Sequence, residues 1–358
     1  MTSSEGISIS FSPYSLLFKE PGGTSRGVLT KKQTYFVRVS PLGNPSASAY
    51  GEVPFFPGLS AETADEVEDR LEKLGSAREI TDIDFTSLPS SLIFGLEQAL
   101  DELTPGNPYL KPDSDFISGN KTLTINGLVW MGSLHAMLKR ATEKLNNGFH
   151  CIKIKIGAIN WEDEISLIRS IRDIAGNDIT IRVDANGAFS QDDCLWRLEE
   201  LAQFGIHSVE QPVRAGNWKL MRRVCENSPV PVALDEELIG LPPSTIRDEM
   251  LDFIRPQFLI LKPALCYGFS GARDWIRRAE KASVGWWITS ALESSVGLSA
   301  IASFTSGFRP EMPQGLGTGS LFTNNFDSTL SLEGERLRFI GPAGIYNCQL
   351  EKLHWRHG

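Results

Sequence analysis

Cysteine is scarce in this chain and widely scattered: Cys151, Cys194, Cys225, Cys266 and Cys348 form no CxxC pair. That pattern argues against a disulfide framework and reads as reduced thiols in a cytoplasmic protein. A surplus of positive charge is also missing. With 35 Lys and Arg against 44 Asp and Glu, the formal net charge is −9, which argues against nucleic acid or an anionic membrane as the main partner. A small anionic substrate is still compatible, because a bound cation inverts the local field. No apolar run reaches the length of a membrane-spanning helix. The opening MTSSEGISISF lacks the basic segment and apolar core of a secretory signal. Nothing in the pattern specifies an oligomer.

What is present is an ordinary globular composition, 41% hydrophobic and 22% charged, in a chain whose length suits a barrel of about 250 residues with an accessory domain. Residues 1–118 read as an α+β capping domain. ISISFSPYSLLF, QTYFVRVS and SAYGEVPFF are strand-like, and AETADEVEDRLEKL carries apolar residues at helical spacing after Ser60 as N-cap. SSLIFGLEQALDEL is a second helix, stopped by TPGNPY. Residues 119–324 read as a (β/α) barrel. The tail, about 325–358, has strand character in LRFIGPAGIYNCQLEKLHW and is expected to pack back on the cap.

The barrel reading rests on five short apolar runs, FHCIKIKI, ITIRVD, HSVEQP, PVALDE and QFLILK. Each carries a charged residue at its end. These residues, Lys155, Asp184, Glu210, Asp235 and Lys262, stand 29, 26, 25 and 27 residues apart, about the length of one βαβ unit. The series begins earlier, with LTINGLVW near 123–130, and continues at Thr289 and Gly315 to give eight strands. Side chains alternate faces along a strand. Lys153 and Lys155 therefore share a face opposite Ile152, Ile154 and Ile156, as Arg182 and Asp184 do opposite Ile181 and Val183. The fold predicted is a TIM-type (β/α) barrel with its charged residues gathered at the C-terminal mouth.

One carboxylate at a strand end is most simply a cap for the following helix. Three in successive units, Asp184, Glu210 and Asp235, supply hard oxygen ligands that converge, which suits Mg²⁺ rather than zinc. Lys155 and Lys262 flank them in chain order, with Lys153 two residues from Lys155 and placed for either a supporting or a direct role. Lysines beside a divalent cation can serve as bases, and the whole would suit proton removal next to a carboxylate. In the first cap loop, Arg26 is placed either to meet a substrate carboxylate or simply to be solvated.

The series KIK, DAN, EQP, LDEE and LKP resembles the enolase superfamily, in its branch with a KxK base motif and a second lysine beyond the last metal ligand. The resemblance covers nearly the whole chain. It implies a modified, enolase-like barrel, Mg²⁺ bound by Asp184, Glu210 and Asp235, and a lysine base acting on a small carboxylate substrate. INGLVWMG, TSALESSVGL and QGLGTGSLF are similar to the superfamily's o-succinylbenzoate synthases of menaquinone biosynthesis. That likeness implies a syn dehydration of 2-succinyl-6-hydroxy-2,4-cyclohexadiene-1-carboxylate. Lys155 would take the α-proton and return it to the departing hydroxyl. Lys262 would act over the opposite face, and Ser290 and Gly315 would lie near the succinyl chain.

The sequence departs from two related patterns. No histidine ends the seventh strand, where Trp287, Ile288 and Thr289 stand, and the Asp-x-Asp of the dipeptide epimerases is replaced by Gly315–Gly319. Three other readings stay open at this point. N-succinylamino-acid racemisation or dipeptide epimerisation would use the same pair of lysines. Lys262 as a Schiff-base lysine, with GLGTG holding a phosphate, would make an aldolase-type barrel. A non-catalytic barrel is the third.

Overall fold

The computed structural model describes residues 6–24, 27–342 and 344–357. An antiparallel sheet is built first, from β1 (Ile7–Thr24), β2 (Gly27–Pro41) and β3 (Ala49–Val53). Two helices, Ala64–Leu74 and Ser90–Leu103, complete this N-terminal layer. The first starts at Thr63 rather than at Ser60. Thr63 Oγ1 accepts the Glu66 amide while Glu66 Oε2 accepts the Thr63 amide, a reciprocal capping box. Ser60 Oγ instead accepts the Phe56 amide one turn earlier.

The second helix lies directly on β3 because both elements carry glycine at the crossing. A Cβ on Gly51 would fall 1.8 Å from the Gly95 carbonyl oxygen, and neither backbone can give way alone. Gly51→Ala is therefore expected to destabilise the protein by about 3 kcal/mol, read as a shift in the midpoint of denaturant unfolding. An unchanged midpoint would mean that the helix backs off freely.

The barrel follows. β4 (Thr122–Thr124) and β5 (Gly127–Val129) replace the single first strand expected over 123–130. The chain changes partners between them: the Ile125 amide donates to Glu335, and the Asn126 amide to Gln314. β5 begins a seven-stranded parallel sheet that continues in order through β6 (Cys151–Lys155), β7 (Thr180–Asp184), β8 (Ser208–Glu210), β9 (Val232–Leu234), β10 (Phe258–Leu261) and β11 (Gly285–Ile288). The eighth position is reduced to Gln314 and Gly315, which bridge in parallel to Ile125 and Thr289 and so join the first strand to the last.

Helices cover the sheet from outside, and the alternation read from the sequence assigns the faces correctly. Ile152, Ile154, Ile181, Val183, Leu259 and Leu261 belong to the large core shared with the helices. Ala233, Ile260 and Trp287 form a separate small cluster inside the ring. Helix Ser295–Ser306 carries no amphipathic signal because all its residues are buried. No helix among the described residues is long and apolar enough to cross a membrane.

In the C-terminal part, β12 (Leu330–Glu333) and β13 (Arg336–Phe339) form a hairpin that pairs with β4. β14 (Arg356–His357) then joins the edge of β1. Beside it, Trp355 packs between the Tyr50 ring and the Arg38 guanidinium.

Candidate active site

The five charged strand ends meet at one mouth of the ring. Lys155 pairs in register with Asp184, and Asp184 with Glu210. Asp235 and Lys262 directly follow β9 and β10. The turn after β8 holds the next unit in place, since Gln211 Oε1 accepts the amides of Asp235 and Glu237. β6 and β10 stand four positions apart in a ring of eight, so Lys155 and Lys262 approach the axis from opposite sides.

Lys153 Nζ lies 2.9 Å from Asp184 Oδ2 and 2.5 Å from Glu210 Oε2. Lys155 Nζ donates to the same Asp184 oxygen at 3.0 Å and to Asn186 Oδ1 at 2.7 Å. Lys262 is ion-paired to Asp235. The three carboxylates are at most 3% exposed, whereas the lysines reach 10–13%. The acids therefore form the floor and the ammonium tips rise towards the cavity above.

The charges control one another's protonation. Burial pulls the Lys153 ammonium down, but Asp184, Glu210 and Asp235 outweigh it and hold the pKa above the usual lysine value. Burial likewise works against Lys262, and Asp235 and Glu236 overcome it. Asp184 is pushed up by burial and pulled further down by Lys153 and Lys155, so its carboxyl stays ionised. Glu210 goes the other way: burial, then repulsion from Asp184, raises it well above the carboxylate range. Its Oε1 is also buried without a hydrogen-bond partner.

Among the described residues, no three His, Cys, Asp or Glu side chains stand ready as a preformed metal cage; ammonium groups sit on the carboxylate oxygens instead. The donor set nonetheless fits a hard divalent cation. It offers three carboxylates on neighbouring strands, one of them with a buried oxygen that has no hydrogen-bond partner.

Lys153, Lys155, Asp184 and Lys262 line a cavity with Ser290 and Gly315. Ser290 Oγ shares a hydrogen bond with Thr318 Oγ1 at 2.7 Å. At Gly315 a Cβ would come 2.3 Å from Thr289 Oγ1, so closure of the barrel alone demands glycine there. Arg26 lies outside the described residues.

Several walls of the cavity were missed from sequence. Asn126, Leu128 and Trp130 come from the first strand, Phe56 and Leu59 from the cap, Asn186 and Glu236 from the turns after β7 and β9, and Leu292 and Thr318 from later loops. Asn186 and Glu236, hydrogen-bonded to each other, adjoin predicted residues and had a signal. Phe56 and Leu59 lie on an irregular segment with no periodicity to reveal them. The GLGTG run is followed by turns rather than by a helix, so the helix terminus that would favour a phosphate there is absent.

A ring of parallel strands with acids on its floor and lysines on opposite sides is the architecture of the enolase superfamily, and the chain belongs to it. Residues 136–334 match the family described as Enolase C-terminal domain-like. Along 92% of this chain and 98% of its own length, the o-succinylbenzoate synthase of Desulfotalea psychrophila is 42% identical. The crystal structure of MenC from Desulfotalea psychrophila LSv54 superposes with a TM-score of 0.81 at 40% identity, covering 93% of this chain and 99% of that one. A dipeptide epimerase from Enterococcus faecalis V583, complexed with Mg and the dipeptide L-Leu-L-Tyr, shares the fold at 19% identity, with a TM-score of 0.82 over 96% and 99% of the two chains.

Proposed function

We propose that the protein is a Mg²⁺-dependent carbon–oxygen lyase that dehydrates 2-succinyl-6-hydroxy-2,4-cyclohexadiene-1-carboxylate to 2-succinylbenzoate in menaquinone biosynthesis. The near full-length likeness to an o-succinylbenzoate synthase carries this reading, and the opposed lysines give it a mechanism. Asp184, Glu210 and Asp235 would hold the cation. When bound, it supplies positive charge for the substrate carboxylate and for the charge that develops there.

Lys155, as the neutral amine, takes the proton α to the carboxylate, and the electron pair passes into the carboxylate as an ene-diolate. The C–O bond to the ring hydroxyl then breaks and its departing oxygen collects the proton from Lys155, so water leaves and the ring becomes aromatic. Lys262, across the axis, offers an ammonium to the other face of the ring, where it stabilises the anion. Lys153, ion-paired to both, keeps Asp184 and Glu210 in place. Ser290 and Gly315 would border the succinyl chain. Four buried free cysteines and one exposed one fit a reducing, cytoplasmic setting.

The test follows the diene absorbance of the cyclohexadiene substrate with purified protein. It should fall in the presence of Mg²⁺, stop falling after EDTA, and fall again once Mg²⁺ is restored in excess. Persistence of the absorbance at high enzyme concentration would refute the assignment. A second reading, 1,1-proton transfer on an N-succinylamino acid, draws on the same opposition of Lys155 and Lys262. It predicts exchange of the substrate α-proton for deuterium in D₂O.

A further inference from the structure

At the back of the cavity, the loop after β11 is held from the capping domain by charged groups that this chemistry does not use. Lys32, in β2, is 3% exposed, and its Nζ donates to the Leu292 carbonyl at 2.9 Å. Leu292 is in the left-handed region, with φ 62°, a conformation that a non-glycine residue keeps only when its surroundings impose it. With Thr289, Ser290 and Ala291 it lines the cavity, as does Phe56, whose ring centre lies 5.8 Å from Lys32 Nζ.

The counter-charges are equally buried. Glu293 Oε2 accepts the Ala291 amide at 2.7 Å, bracing the same loop, while its Oε1 has no partner. Glu52, in β3, accepts the Ser294 amide, the Ser294 hydroxyl and the Gly297 amide at the start of helix Ser295–Ser306. A Cβ at Gly297 would lie 2.8 Å from Glu52 Oε2, so only glycine admits the carboxylate. Burial lowers the Lys32 pKa against the attraction of Glu293 and Glu52, and it pushes Glu293 up to about 7. Apolar side chains would join two domains at less cost than a buried ammonium and two buried carboxylates. What the charged arrangement adds is a donor aimed at a single carbonyl of a strained loop.

We propose that Lys32 is a positioning residue. From the capping domain, its ammonium fixes the Leu292 carbonyl, and with it the 289–294 loop, in the shape that receives the substrate, while Glu52 and Glu293 balance its charge. Lys32 itself does not touch the substrate. The inference rests on the reading of this cavity as the active site.

Two full-length variants test it, Lys32→Met and Lys32→Met/Glu293→Gln, each compared with wild type in Mg²⁺. In Lys32→Met, amide hydrogen exchange across 289–294 should quicken at least about tenfold while β6–β8 keep wild-type rates. KM should rise about tenfold, with kcat falling less than about threefold. Glu293→Gln removes the uncompensated carboxyl, so the double variant should recover the melting temperature without recovering KM or loop protection. If the single variant fails to fold, the double variant carries the same readouts.

Exchange that is unchanged in the loop, or raised uniformly over the protein, would overturn the proposal. So would recovery of KM together with the melting temperature. Failure of wild type to consume the diene would sink the dehydratase reading instead, and the exchange comparison would still decide the role of Lys32.

Discussion

Lys155→Ala is expected to lower kcat for the diene substrate by about 10²- to 10⁴-fold, the usual contribution of a positioned acid–base group. The loss should fall on kcat and leave KM nearly untouched, since the amine matters most while the proton is in flight. The fold should survive. Asp184 keeps Lys153 at 2.9 Å when Lys155 is removed, so no buried carboxylate is left without a cation. Circular dichroism and the melting temperature check that point, and diene absorbance measures the rate. Residual activity above about a tenth of wild type would take the proton-transfer role away from Lys155.

Glu210→Gln should have an effect of similar size by a different route. Its carboxylate is the one of the three acids with a buried oxygen that has no hydrogen-bond partner. If it serves the cation, the amide variant loses affinity for Mg²⁺ as well as turnover. A ligand present at 100 times its Kd stabilises the native state by about 2.7 kcal/mol. Saturating Mg²⁺ should therefore raise the melting temperature of wild type and barely move that of Glu210→Gln. In the variant Lys153 still has Asp184, so its metal-free melting temperature should lie near that of metal-free wild type. An equal Mg²⁺ response in both proteins would exclude Glu210 as a ligand.

Much of this was legible in the chain. Lys155, Asp184, Glu210, Asp235 and Lys262 recur at the length of one βαβ unit, and a parallel strand exposes its last residue at the same mouth in every unit. Repetition therefore translated directly into convergence. Local chemistry was harder to place. Ser60 and Thr63 are both competent caps for the helix at Ala64, and Thr63 prevails over Ser60 because only Thr63 has a glutamate three residues on.

Order along the barrel and the inward face of each strand were thus set by the sequence alone, through the two-residue alternation of strands and the near-constant repeat. Tertiary structure decided what no period encodes. It split the first strand between two sheets, shrank the eighth to Gln314 and Gly315, and brought Phe56 and Leu59 over the mouth. It also set Lys32 against a loop 260 residues away. Those outcomes depend on which surfaces meet after the ring closes, and a contact between distant segments leaves no periodic mark in either of them.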